Sequence, residues 1–138
     1  MLLGAGLDRR FEWSPPLPMQ VAAAALAVIA LCAVLTIWAM AANRFFSGLV
    51  RIQSERGHTT VTGGPYRWLR HPGYAATILA DLAAPLVLGS LWALIPGGLT
   101  GAIIVIRTAL EDRTLQAELA GYREYTRRVR YRLLPGVW

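Results

Sequence analysis

The chain has 138 residues, of which 55 % are hydrophobic and 16 % charged, against about 25 % charged in soluble domains. One Cys, no glycine period and charges kept apart from the apolar runs exclude a disulfide scaffold, a collagen, a disordered chain and a soluble α/β enzyme. The net charge is +6, every basic residue is Arg, and only Arg9 and Arg10 precede the first apolar run. The composition is that of a small all-α integral membrane protein with a single domain over 1–138.

Residues 19–42 supply the roughly 20 apolar residues that a spanning helix requires, with no Pro or Gly inside. Ser14-Pro15-Pro16-Leu17-Pro18 favours an extended approach and a helix start near Pro18. The run is too long for a cleavable signal, and its positive charge follows it. Cys32 within it reads as a small buried apolar residue. Residues 72–106 contain one charged side chain, Asp81. The stretch is too long for one crossing and slightly short for two. Pro96-Gly97-Gly98 is expected to break it, with Gly89-Ser90 a weaker break. This predicts a helical hairpin, one helix from about His71 to Leu91 and a second from near Leu99 past Ile106 toward Tyr125. In the tail, 107–138, Leu115, Leu119 and Tyr122 recur at i, i+4 and i+7 and predict an amphipathic C-terminal helix, with Gly121 marking a bend. Residues 130–138 read as an interfacial anchor.

The loop after the first span carries Arg44, Arg51, Arg56, Arg67 and Arg70, and the tail carries Arg113, Arg123, Arg127, Arg128, Arg130 and Arg132. Both ends of the hairpin are therefore expected in the cytoplasm, with the N-terminus outside, as for a bacterial inner-membrane protein. Anionic lipid headgroups account for such an Arg set better than nucleic acid does.

The polar loop at 51–71 and the helix start after it carry the chemistry. Gly63-Gly64-Pro65 is a turn at which backbone can approach a ligand closely. Pro72 suits a first helical turn, whose N–H groups can seat a carboxylate. His71 and Tyr74 stand at i and i+3, so both can face one cavity. Arg107 and Glu111 stand at i and i+4 where the hairpin leaves the membrane. Such a pair is often only a mutual salt bridge, whereas an interfacial charge is by default a functional hypothesis.

From His58 through Tyr74, with Arg107, Glu111 and the Leu115, Gly121, Tyr125 and Pro135 pattern, the chain resembles the isoprenylcysteine carboxyl methyltransferase family. These membrane enzymes use S-adenosylmethionine and are related to the phospholipid N-methyltransferases. Gly64-Pro65-Tyr66-Arg67-Trp68-Leu69-Arg70-His71-Pro72-Gly73-Tyr74 carries the resemblance, which covers roughly residues 43–138. It implies that His58, Thr59, Thr60 and Val61 line the cofactor and that Tyr66 touches it. His71, Pro72, Gly73 and Tyr74 would receive its methionine end, Glu111 would be a cofactor-binding acid, and Arg107 would face the substrate. Two departures stand out: Glu111-Asp112 where the family often has Glu-Glu, and one span before the loop where members usually carry more. The chain thus reads as a shortened form or a fragment, with the lipid-substrate entrance in question.

Methyl transfer needs no metal, and no Cys/His cluster suggests one. A carboxylate acceptor is already ionised at neutral pH and needs a fork of donors to aim it, which Arg107 supplies. The expected substrate is a lipid-like or prenylated molecule. Asp81 is open between a base in the cavity and a group paired toward neighbouring helices. Two other readings stay open: a sterol-reductase-like membrane enzyme using reduced nicotinamide, and a shortened non-catalytic partner protein. So few helices leave a cofactor cavity poorly enclosed, and pairing of chains would cover it.

Overall fold

The computed structural model describes residues 1–47 and 57–138. Arg51 and Arg56, counted above for orientation, lie outside the described residues. Among those described are five α-helices and no strand: α1 (Leu2–Phe11), α2 (Met19–Ala42), α3 (Pro72–Val87), α4 (Leu94–Glu118) and α5 (Tyr122–Arg128), with a 3-10 turn at Gly64–Arg67 before α3. The chain divides into two units, Met1–Val34 with Ala76–Ile104, and Leu35–Ala75 with Val105–Trp138.

α2 and α4 are long and apolar enough to cross a membrane. At about 1.5 Å per residue, the 24 residues of α2 exceed a hydrocarbon core of about 30 Å. Most of its large side chains (Leu26, Leu31, Val34, Ile37) are exposed, while the small Ala25, Cys32 and Ala39 are buried. The 16 residues of α3 fall short of that thickness.

In the first unit the structure corrects the expected hairpin. The turn falls between Val87 and Leu94, at Gly89-Ser90, and Pro96-Gly97-Gly98 lies inside the first turns of α4. Gly89 adopts φ 69°, and Ser90 N–H donates to the Pro85 carbonyl at 3.0 Å. Pro96 is the third residue of α4, where its missing N–H leaves no helical bond unmade. Gly97 serves packing: a Cβ there would sit 2.7 Å from the Asp81 carbonyl oxygen, so α3 and α4 approach closely at this point. The helix expected over 71–91 is accordingly shorter, and its partner starts at Leu94 instead of Leu99.

α1 was not foreseen from the sequence. It ends at Glu12 in a left-handed conformation whose N–H donates to the Asp8 carbonyl. The Asp8 carboxylate, buried in this unit, accepts from Ser14 N–H (2.7 Å), Ser14 Oγ (2.6 Å) and the Ser90 hydroxyl. Ser14 Oγ in turn accepts from Leu91 N–H at 2.9 Å, and Ser90 Oγ from Ala93 N–H at 3.1 Å. One carboxylate and two hydroxyls thus satisfy the polar backbone of the α3–α4 turn.

In the second unit α4 ends at Glu118 and does not run on to Tyr125. Gly121 (φ 79°) reverses the chain into α5, the bend expected of that glycine. Leu119, Tyr122, Tyr125 and Val129 form a buried cluster with Leu115 packed against it, so the predicted apolar stripe is used as core. The final segment closes on itself: Arg132, Leu133 and Leu134 N–H all point to the Trp138 carbonyl at 2.8–3.2 Å. Leu133 is buried there, while Leu134 and Val137 are exposed.

Candidate functional site

The second unit brings together residues that the sequence spaces widely. The Gly64–Arg67 turn forms because Gly64 takes φ 58° and Pro65 sits at its start. A Cβ on Gly64 would lie 2.8 Å from Ala42 Cβ and 3.3 Å from Trp38 Nε1. The close backbone approach expected there for a ligand is made to the end of α2. Tyr66, next in the turn, is buried; its hydroxyl accepts from Asn43 Nδ2 at 3.3 Å and its carbonyl accepts from Tyr125 OH at 2.6 Å. Burial pushes the Tyr66 phenol above its ordinary value, and the charge on Glu111 adds to this against the Asn43 amide.

His71, Pro72 and Gly73 are buried at the start of α3. A Cβ on Gly73 would meet the Phe46 ring at 3.0 Å. His71 and Tyr74, predicted to share a face, lie nearly parallel with ring centroids 5.8 Å apart. The Tyr74 hydroxyl accepts from Arg107 Nε at 3.0 Å and donates to Glu111 Oε2 at 2.7 Å. Arg107 and Glu111 are therefore joined through a phenol from another helix, and the first turn of α3 is fixed to α4 by the same atom.

The four residues of the 58–61 stretch are placed differently. His58 is half-buried with its ring 4.4 Å from that of Phe45, and burial lowers its basicity. Thr60 Oγ donates to the Ala120 carbonyl at 3.0 Å, Val61 is half-buried and Thr59 is exposed. This stretch lines the α4–α5 junction through Thr60.

Sequence reasoning passed over the most heavily bonded group in the unit, Asp112. Its side chain is 0 % exposed. Oδ1 accepts from Arg70 Nη1 (2.9 Å) and Tyr122 OH (3.0 Å), while Oδ2 accepts from Arg132 Nε (2.9 Å), Gln116 Nε2 (2.8 Å) and Arg70 Nη1 (3.0 Å). His71 Nε2 stands 3.5 Å from Oδ1. It has no hydrogen-bond partner among the described residues, and neither does the buried Arg70 Nε. Burial raises the Tyr122 phenol far above its ordinary value, as do the charge of Asp112 and the bond to it. Tyr125 is raised chiefly by burial. The available signal was local: Arg70 directly precedes His71, and Asp112 directly follows Glu111.

The sequence model of the isoprenylcysteine carboxyl methyltransferase (ICMT) family matches residues 22–117 of the 138. The chain belongs to that family. A comparison with curated proteins gave no match. The ICMT match covers most of α2, the Gly64–Arg67 turn, α3 and nearly all of α4, and so takes in His71, Tyr74, Arg107, Glu111 and Asp112. α5 and the C-terminal segment, which hold Tyr122, Tyr125 and Arg132 against that stretch, lie beyond it. Family membership makes the chain a methyltransferase relative, and its two long apolar helices fit a membrane protein.

Proposed function

We propose that this ICMT-family chain binds S-adenosylmethionine in its second unit and directs the methyl group to a carboxylate on an apolar, isoprenylated or lipid-like substrate. The observation that carries the reading is the Tyr74 hydroxyl held between Arg107 Nε (3.0 Å) and Glu111 Oε2 (2.7 Å), which unites two stretches more than thirty residues apart. The donor set fits the cofactor's groups. Glu111 has lone pairs left for an ammonium or ribose hydroxyls. The buried Arg70 keeps its Nε without a hydrogen-bond partner among the described residues, a donor suited to a carboxylate, while His71 Nε2 stands 3.5 Å from Asp112. Tyr66 and the 58–61 stretch would line the remainder, with Pro72 and Gly73 offering the start of α3.

When bound, the cofactor would supply a methyl group on a sulfonium, an electrophile that needs no metal. Arg107 would aim the acceptor carboxylate, while the bond of its Nε to Tyr74 keeps the guanidinium from turning away. Because the carboxylate is already ionised, the residues have no proton to remove, and their work is orientation and exclusion of water. Ten of the twelve described arginines belong to this unit, which favours a cytoplasmic location for it.

Thermal-shift titration of detergent-solubilised protein tests the reading. S-adenosylhomocysteine at 100 times its Kd should stabilise the fold by about 2.7 kcal/mol, and reduced nicotinamide cofactor should have no effect. The opposite result would replace the reading with a sterol-reductase-like one, and silence from both would leave a non-catalytic relative. Arg107→Ala should lower methyl transfer at low acceptor concentration; unchanged transfer would remove the role assigned to it.

A further inference from the structure

We propose that Asp112 is a positioning residue for methyl transfer, acting through the C-terminal segment, which it clamps against the start of α3 by way of Arg132 and Arg70. The inference rests on the functional reading above. Four bonds make a closed circuit. Asp112 accepts from Arg132 Nε at 2.9 Å and from Arg70 Nη1 at 2.9 Å. The backbone of the same two stretches pairs directly, Arg70 N–H to the Tyr131 carbonyl at 2.9 Å and His71 N–H to the Arg132 carbonyl at 3.0 Å. Arg70 Nη2 adds a bond to the Arg130 carbonyl at 3.1 Å. Residues 130–132 thus hold both the backbone and the side chain of the residues that open α3, and Arg132 returns to α4 one residue after Glu111.

The consequence lies one helical turn on. His71 Nε2 is 3.5 Å from the same carboxylate, and the His71 ring lies against Tyr74. The bonds of Tyr74 to Glu111 and Arg107 at 2.7 and 3.0 Å leave little slack. A displacement of about 1 Å breaks them, and errors of that size can cost on the order of 100-fold in rate. The segment that carries Arg132 lies past residue 117, beyond the stretch matched to the family.

Arg132 suits a test because its side chain is 27 % exposed, so replacement leaves no sealed cavity. S-adenosylhomocysteine affinity is measured calorimetrically at 20 °C for the full chain in detergent and for Arg132→Gln, Arg132→Lys and Leu119→Ala. Arg132→Gln should weaken binding at least five-fold, and Arg132→Lys should recover it to within two-fold. Leu119→Ala, which removes volume from the buried cluster under α5, should lower the melting temperature at least as much while leaving affinity within two-fold. Equal affinity in Arg132→Gln overturns the inference alone, as does equal weakening in Leu119→Ala, which would reduce the clamp to general stability. No binding by the unaltered chain overturns the functional reading and the inference together.

Discussion

Replacing Asp112 by Asn keeps the shape of the side chain and removes the one negative charge buried among two guanidinium groups. Arg70 is buried and Arg132 largely so, and both aim nitrogens at the carboxylate from 2.9 Å. Removing one partner of a buried ion pair costs about 3–5 kcal/mol, because the charge left behind is uncompensated. In Asp112→Asn two cations lose their partner, and the amide would also present an N–H₂ toward one of them, so the upper part of that range applies. For a chain of this size about 1 kcal/mol moves the melting temperature by roughly 3–4 °C. The variant should therefore melt about 10–20 °C below the unaltered protein in the same detergent, followed by circular dichroism at 222 nm. The loss should persist in 1 M salt, since buried pairs are little screened. The exposed pair Arg128–Glu124, 3.7 Å apart with both side chains about 70 % exposed, supplies the contrast: Glu124→Gln should change stability by under about 0.5 kcal/mol. A melting temperature for Asp112→Asn within about 3 °C of the unaltered protein would refute the reasoning, as would a loss that salt abolishes.

Gly64→Ala should destabilise by about 1–3 kcal/mol, since φ 58° strains an L side chain and the added Cβ meets the Ala42 Cβ at 2.8 Å, a contact with no flexible end to yield; chemical denaturation of solubilised protein measures it, and no change would mean that the turn relaxes freely. The raised phenols of Tyr122 and Tyr125 set an alkaline limit. The folded state favours the neutral phenol, so this contribution is fully present below about pH 10, the ordinary tyrosine value, and is lost as pH rises beyond it. Melting temperature plotted from pH 8 to 12 should fall above pH 10, and Tyr125→Phe should flatten the fall; an unchanged slope in that variant would contradict the assignment.

How much of this was legible depends on the range over which the signal acts. α2 was plain because a 24-residue stretch that is almost wholly apolar, without Gly or Pro, can do little else in a membrane protein. The hairpin turn was misplaced because Pro and Gly at 96–98 carry the same letters whether they break a helix or serve its first turn and its close packing. Only the contact of Gly97 with the Asp81 carbonyl, sixteen residues away, tells the two apart. α1 went unread because its buried polar residue, Asp8, finds a partner at Ser90, eighty-two positions on. The family resemblance assigned Tyr74, Arg107 and Glu111 to one site, but the phenol bonds that join them carry no sequence signal of their own. The clamp was not: Arg70 and Arg132 reach Asp112 across 42 and 20 positions, with no periodicity to announce them.

Glu111 and Asp112 show why two neighbouring acids need different neighbours to do different work. Consecutive helical residues point about 100° apart, so adjacent carboxylates on α4 face separate surroundings. A carboxylate offers about four lone-pair positions. Asp112 meets four donor side chains (Arg70, Tyr122, Arg132 and Gln116) and has nothing left to offer a ligand. Glu111, only partly buried, accepts a single hydrogen bond among the described residues, from Tyr74. Because Asp112 neutralises Arg70 and Arg132, neither guanidinium is left in need of a second carboxylate. Asp112 is saturated by structural donors, whereas Glu111 keeps lone pairs that the proposed cofactor's ammonium or hydroxyls would use.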